Sequence, residues 1–98
     1  MKFDWDENKN FLNQQKHTLS FELARSVFLD PYALLKFDRQ QKDEERWHAI
    51  GMIEDEIVVL VAHTYRDDFI RLISARKANK KERTLYENAK RARCIEES

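Results

Sequence analysis

Arginine and histidine are the residues of this chain that could do chemistry. In the segment EERWHAIG, Arg46 and His48 alternate with Trp47 and Ala49, which sets them on one face of a strand. In the apolar run ending in HTYR, His63 and Tyr65 share a face, and Arg66 lies in the turn that follows. Arg71, Arg76 and Lys77 belong to the next strand-like segment, and Lys80, Lys81 and Arg83 to a basic helix opened by Asn79. Cleaving RNA without a metal needs few parts. A base takes the 2′-hydroxyl proton, cations neutralise the charge that builds on the phosphate oxygens, and an acid protonates the leaving oxygen. Arg suits the middle task because its planar fork grips two phosphate oxygens at once.

Other chemistries find no support. His17, His48 and His63 have no His-x-x-x-His spacing and Cys94 is the only cysteine, so no metal-ligand pattern is visible. Ser20, Ser26, Ser74 and Ser98 lie in no recognisable nucleophile elbow. Gly51 is the sole glycine, so neither a P-loop nor a dinucleotide-binding loop can be built. A chain with one cysteine has no internal disulfide framework and fits a reducing compartment.

Structural roles compete with each catalytic one. A hydrogen-bonded core role suits His48 or His63, and a helix-end cap suits His17. Arg46 and Arg71 could pair across strands with Glu44 or Glu56. The Lys80, Lys81 and Arg83 run could be a solvated helix face, and Trp5 and Trp47 read as core residues.

The elements that must position these residues follow from periodicity and capping. Met1 to Trp5 alternates as a short strand. Asp6 is a plausible N-cap for a helix of about Glu7 to Lys16 with Phe11 and Leu12 inward. Ser20 opens a second helix whose Leu23, Ala24, Val27 and Phe28 form one apolar face, and Asp30-Pro31 ends it. Tyr32 to Phe37 reads as a strand and Asp38 to Glu45 as a polar connection. Arg46 to Ile53 is the next strand, and Glu54-Asp55-Glu56 turns it into Ile57 to Tyr65. That run is apolar on both faces and marks a central strand. Arg66-Asp67-Asp68 turns again into Phe69 to Arg76. Asn79 and Glu82 have capping-box spacing, and the final helix runs from about Lys80 to Arg93 with Leu85, Tyr86, Ala89 and Ala92 as its stripe. The fold class is α+β: an antiparallel meander of three to four strands plus an N-terminal strand, with two N-terminal helices and a C-terminal basic helix.

At 98 residues the chain reads as one domain, and 42% hydrophobic with 37% charged residues suits a globular one. Its net charge is zero, yet Arg71 to Arg93 holds nine Lys or Arg against two Glu. A cationic third on a neutral protein points to an anionic partner, nucleic acid before a small molecule. The start, MKFDWDENKN, has no apolar signal region, and no run approaches the roughly 20 residues of a membrane helix, so the chain reads as cytoplasmic with no membrane partner.

The pieces FDWDENKN, KHTLSFELA, VFLDP, EERWHAIG and RLISARKANKKERTLY, in that order over Phe3 to Tyr86, resemble the BrnT family of type II toxins. The resemblance implies a RelE-like fold, RNA cleavage that arrests translation, and neutralisation by a BrnA-type ribbon-helix-helix antitoxin. It also implies operator DNA binding through the toxin–antitoxin complex. Glu45, Arg46, Arg66, Arg76 and Lys77 fall in family-like segments. Where the family pattern carries Gly after the Lys-His pair, this chain has Thr18, so the turn lacks a residue free to adopt φ > 0. Residues 87–98 lie beyond the resemblance, as a helical extension of a single ribonuclease-toxin domain.

The expected site follows from both lines. Arg46, Arg66 and Arg76 bind the scissile phosphate, His63 or Glu45 transfers the proton, and Lys77, Lys80, Lys81 and Arg83 track the RNA backbone. No metal or other cofactor is called for. The rival expectation is a non-catalytic module whose basic helix docks an acidic protein or DNA.

Overall fold

The computed structural model of the chain describes residues 1–97, apart from the side chains of Asp55 and Glu97. Among the described residues the elements are β1 (Lys2–Asp4), α1 (Glu7–His17), α2 (Phe21–Ala24) running on as a 3-10 helix (Arg25–Leu29), β2 (Leu34–Gln41), β3 (Glu44–Ile53), β4 (Ile57–Arg66), β5 (Phe69–Lys77) and α3 (Lys80–Glu97). They form one five-stranded sheet of order β1-β5-β4-β3-β2. The pairs β2–β3, β3–β4 and β4–β5 are antiparallel, and β1 runs parallel to β5. The α+β class and the central place of β4 are as expected.

Alternation along the strands divides the core in two. Ala49, Ile53, Val59, Val61, Leu72 and Ala75 point to one face and pack on Phe21, Ala24 and Val27 of the second helical segment. Ile50, Val58 and Leu60 point to the other and meet Ala78 and Tyr86. Gly51 is required on the first face. A Cβ there would lie 2.9 Å from Val27 Cγ2 and 3.0 Å from Ala33 Cβ, so only hydrogen lets the Arg25–Leu29 segment lie against β3.

Three local expectations change. Phe11 and Leu12 do not face inward; they are 61% and 62% exposed, and α1 buries Asn10 and Asn13 instead. The cause is the place where α1 docks. It packs on β5, and β1 pairs only with Phe69 to Arg71, so the backbone of Ala75 needs another partner. Asn13 supplies it. Asp38 to Glu45 is no loose connection either: it carries the end of β2 and the start of β3, joined through Lys42 at φ 55°. Backbone pairing makes a ribbon from polar residues that show no periodicity. The helix after Ser20 keeps its cap, with Ser20 Oγ accepting from Leu23 N–H at 3.1 Å, but after one turn it tightens to 3-10. Thr18 takes the left-handed conformation itself, at φ 53°.

Candidate active site

Helix α3 covers only part of its face of the sheet. Tyr86 rests over Ile50 and Leu60, and its hydroxyl donates to Asp30 at 2.5 Å. The opposite half of that face stays open as a cleft of about 330 Å³. Arg46 of β3, Thr64 and Arg66 of β4, and Arg71 and Ile73 of β5 line it, with Glu44 and the hairpin residues Gln41, Lys42 and Asp43 at its rim. Lys9 of α1 joins them from beyond the β5 edge. Five cations thus share one cleft with two carboxylates.

Two of the arginines have partners. Arg66 donates to Glu44 at 2.5 Å, and the Arg66 guanidinium holds the Glu44 carboxyl below the usual range. Arg71 is paired with Asp4 of β1 at 2.5 Å. These pairings differ from the expected partners, Glu44 and Glu56 for Arg46 and Arg71. Among the described residues Arg46 forms neither a hydrogen bond nor an ion pair, although its charge also lowers Glu44. An unpaired, half-buried guanidinium in a cleft is ready for an incoming anion.

Arg76 and the cationic run stand at the other end of β5, five residues from Arg71, or roughly 16 Å at strand rise. Arg76 makes a bidentate pair with Glu82, both contacts 2.9 Å. Glu82 also completes the capping box: Asn79 N–H donates to Glu82 Oε1, and Glu82 N–H to Asn79 Oδ1, each at 2.9 Å. The guanidinium expected to bind the scissile phosphate is therefore already engaged by the chain's own carboxylate. The Arg76 bond and the backbone contact hold Glu82 below the ordinary range. Lys77, Lys80, Lys81 and Arg83 are exposed beside it, Arg83 donating to the Ala78 carbonyl at 2.8 Å.

The two expected proton-transfer residues lie elsewhere. His63 is fully buried on the opposite face, edge-on to Phe28 at 4.9 Å. Its Nδ1 lies 3.1 Å from the Val61 carbonyl and its Nε2 3.1 Å from the Tyr65 hydroxyl. A carbonyl only accepts, so Nδ1 carries the proton and Nε2 accepts from Tyr65. Burial pushes His63 below its usual pKa. Glu45 alternates with Glu44 and Arg46 and so belongs to the Trp47 side of β3, away from the cleft. Trp47 itself is not core; it stands edge-on between Phe37 and Tyr65. His48, on the cleft side, lies 3.5 Å from Asp38.

Sequence reasoning thus brought Arg46 and Arg66 together and missed Lys9, Glu44, Thr64 and Arg71 as one group. Alternation gave a signal for Glu44, which shares the parity of Arg46. None existed for Lys9, which arrives from another element. Among the described residues no cluster of three His, Cys, Asp or Glu is placed to hold a metal ion.

The family model described as "Ribonuclease toxin, BrnT, of type II toxin-antitoxin system" matches residues 5–82. The chain belongs to the BrnT family. Its structure is similar to the crystal structure of the Brucella abortus ribonuclease toxin BrnT, with TM-score 0.65 and 32% sequence identity over 82% of this chain and 99% of that one. No curated protein sequence matches it. A BrnT chain is the toxin half of a type II pair and so has an antitoxin partner. Among the described residues no helix is long and apolar enough to cross a membrane.

Proposed function

We propose that this BrnT chain is a metal-independent endoribonuclease that arrests translation in the cytoplasm. A BrnA-type ribbon-helix-helix antitoxin holds it inactive, and the complex reaches operator DNA through that antitoxin. One observation carries the catalytic part: Arg46, Arg66 and Arg71, from three adjacent strands, converge with Lys9 on a single open cleft. Three guanidiniums and an ammonium there neutralise a phosphate and the extra charge of its transition state. Arg46 is the first donor to the scissile phosphate because it gives up no internal partner. Arg66 shares its fork between Glu44 and the RNA.

From the cleft the strand leads across Ser74 toward Arg76, Lys77, Lys80, Lys81 and Arg83. The RNA backbone follows this band without readout of its bases, because contacts to phosphate carry no sequence information. Arg76 contributes there by sharing its guanidinium between Glu82 and a passing phosphate.

The test is cleavage of a labelled single-stranded RNA by the purified toxin in excess EDTA, beside growth of cells expressing it alone. We expect undiminished cleavage, and growth arrest relieved by the antitoxin. Activity lost in chelator and restored by Mg²⁺ or Mn²⁺ would sink the metal-free mechanism. A chain that neither cleaves nor arrests growth is the docking module.

A further inference from the structure

Cleavage by the 2′-hydroxyl needs a proton acceptor inside the cleft, and the two residues expected for it face the other way. His63 is sealed at 0% exposure behind Phe28 and Tyr65, with both ring nitrogens engaged. Glu45 lies on the Trp47 side of β3. Of the groups lining the cleft, Lys9, Lys42, Arg46, Arg66 and Arg71 are cations, which leaves Asp43 and Glu44 as acceptors. Asp43 sits exposed in the hairpin turn. Glu44 is half-buried on β3 two residues from Arg46, and Arg66 grips one of its oxygens at 2.5 Å.

We propose that Glu44 is the general base of this site. The assignment rests on the ribonuclease reading above. Arg66 fixes the carboxylate through Oε1, and the Thr64 hydroxyl beside it adds a weaker contact, so the proton acceptor is held in place within the cleft. The 2′-hydroxyl of the bound nucleotide gives its proton to Glu44, and the 2′-oxygen forms a bond to phosphorus as the bond to the 5′-oxygen breaks. Water at the open mouth of the cleft protonates the departing 5′-oxygen, and the hydroxide so made takes the proton back from Glu44. The products are a 2′,3′-cyclic phosphate and a 5′-hydroxyl, with no net proton gained or lost. Arg66 then has two tasks in one place: it orients the base and faces the phosphate. The pairing keeps Glu44 ionised at neutral pH, so the base is always ready though intrinsically weak, and it acts through position.

The experiment compares the unaltered toxin with Glu44→Gln, Glu44→Asp and Glu44→Ala in single-turnover cleavage of a labelled RNA. Binding is read on the same oligonucleotide with 2′-deoxy sugars, which cannot react, and folding by thermal melting. We expect Glu44→Gln to slow cleavage by on the order of a hundredfold or more while binding the deoxy oligonucleotide at least as tightly. Glu44→Asp retains more activity than Glu44→Gln. Added formate raises the rate of Glu44→Ala in proportion to its concentration, because a free carboxylate replaces the missing one. A folded Glu44→Gln protein that cleaves at the unaltered rate overturns the assignment. So does a slow Glu44→Ala that formate does not restore, since Glu44 then only positions Arg66. If the unaltered toxin cleaves no RNA, the ribonuclease reading itself fails and the proposal with it.

Discussion

The side chain of Asn13 and the backbone of Ala75 pair as two strands would. Asn13 Nδ2 donates to the Ala75 carbonyl at 2.8 Å, and the Ala75 N–H donates to Asn13 Oδ1 at 3.1 Å. Nδ2 donates again to the Leu19 carbonyl at 2.8 Å, so one buried amide satisfies three backbone groups. Helix α1 is thereby fastened to the open edge of β5 by hydrogen bonds where helices ordinarily use apolar contacts.

Replacing Asn13 by Ala leaves those three groups unpaired in a site with almost no access to water. We expect a loss of about 2–4 kcal/mol, or a fall in Tm of about 10 °C or more for a domain of this size. Phe11→Ser, on the exposed side of the same helix, should stay within about 0.5 kcal/mol. Thermal melts of the two variants decide it; a larger effect at Phe11 would show that the apolar side is the docked one.

Thr18 ends α1 at φ 53° and ψ 33° while its N–H bonds the Gln14 carbonyl at 2.9 Å. A β-branched residue there carries about 1–2 kcal/mol of steric cost. Glycine removes that cost but gains freedom in the unfolded chain. Thr18→Gly should therefore stabilise by about 0.5–1 kcal/mol, read as a higher denaturant midpoint at unchanged slope.

His63 makes stability depend on pH. Burial first, then the charge of His48, holds its folded pKa below the ordinary value of 6.5. Below pH 6.5 the unfolded chain takes up a proton that the folded one refuses. The contribution is thus complete above 6.5 and is lost as pH falls from there toward the lowered folded value. His63→Gln should flatten the slope of stability against pH in this window. An equal slope in both proteins would mean that His63 is charged in the fold.

Arg46 and Arg76 should separate chemistry from architecture. Arg46→Ala removes an unpaired cation from the cleft, so cleavage falls by on the order of a hundredfold while stability changes by about a kcal/mol or less. Arg76→Ala strips the fork from Glu82 at the start of α3, and its larger effect should appear in the melting curve. Single-turnover cleavage and melting of both variants test this; a stable Arg76→Ala with no activity would move the chemistry to that end of β5.

The exposed run on α3 has a signature in salt. If Lys80 and Lys81 touch phosphates, changing both to Ala should flatten the salt dependence of RNA binding by about 1.4 units, at roughly 0.7 per contact for single strands. An unchanged slope makes them a solvated face.

What the sequence determined by itself was whatever depends on neighbours along the chain. Caps at Asp6, Ser20 and Asn79 set three helix starts, because a side-chain oxygen satisfies N–H groups two or three residues on. The two-sided apolar run of β4 placed it centrally, and alternation set Arg46 opposite Trp47. The family segments, from FDWDENKN to RLISARKANKKERTLY, were equally legible. Tertiary structure decided the rest, because those outcomes turn on which groups the packing leaves unpaired. Two apolar residues in α1 predicted the wrong inward face, since β5 offered an edge of hydrogen-bonding groups and Asn13 satisfied it. The same sheet placed His63 out of reach, neutralised Arg76 with Glu82, and brought Lys9 to Glu44 and Arg66 from distant parts of the chain. Periodicity reports the face on which a side chain lies; only the assembled fold reports what waits on that face.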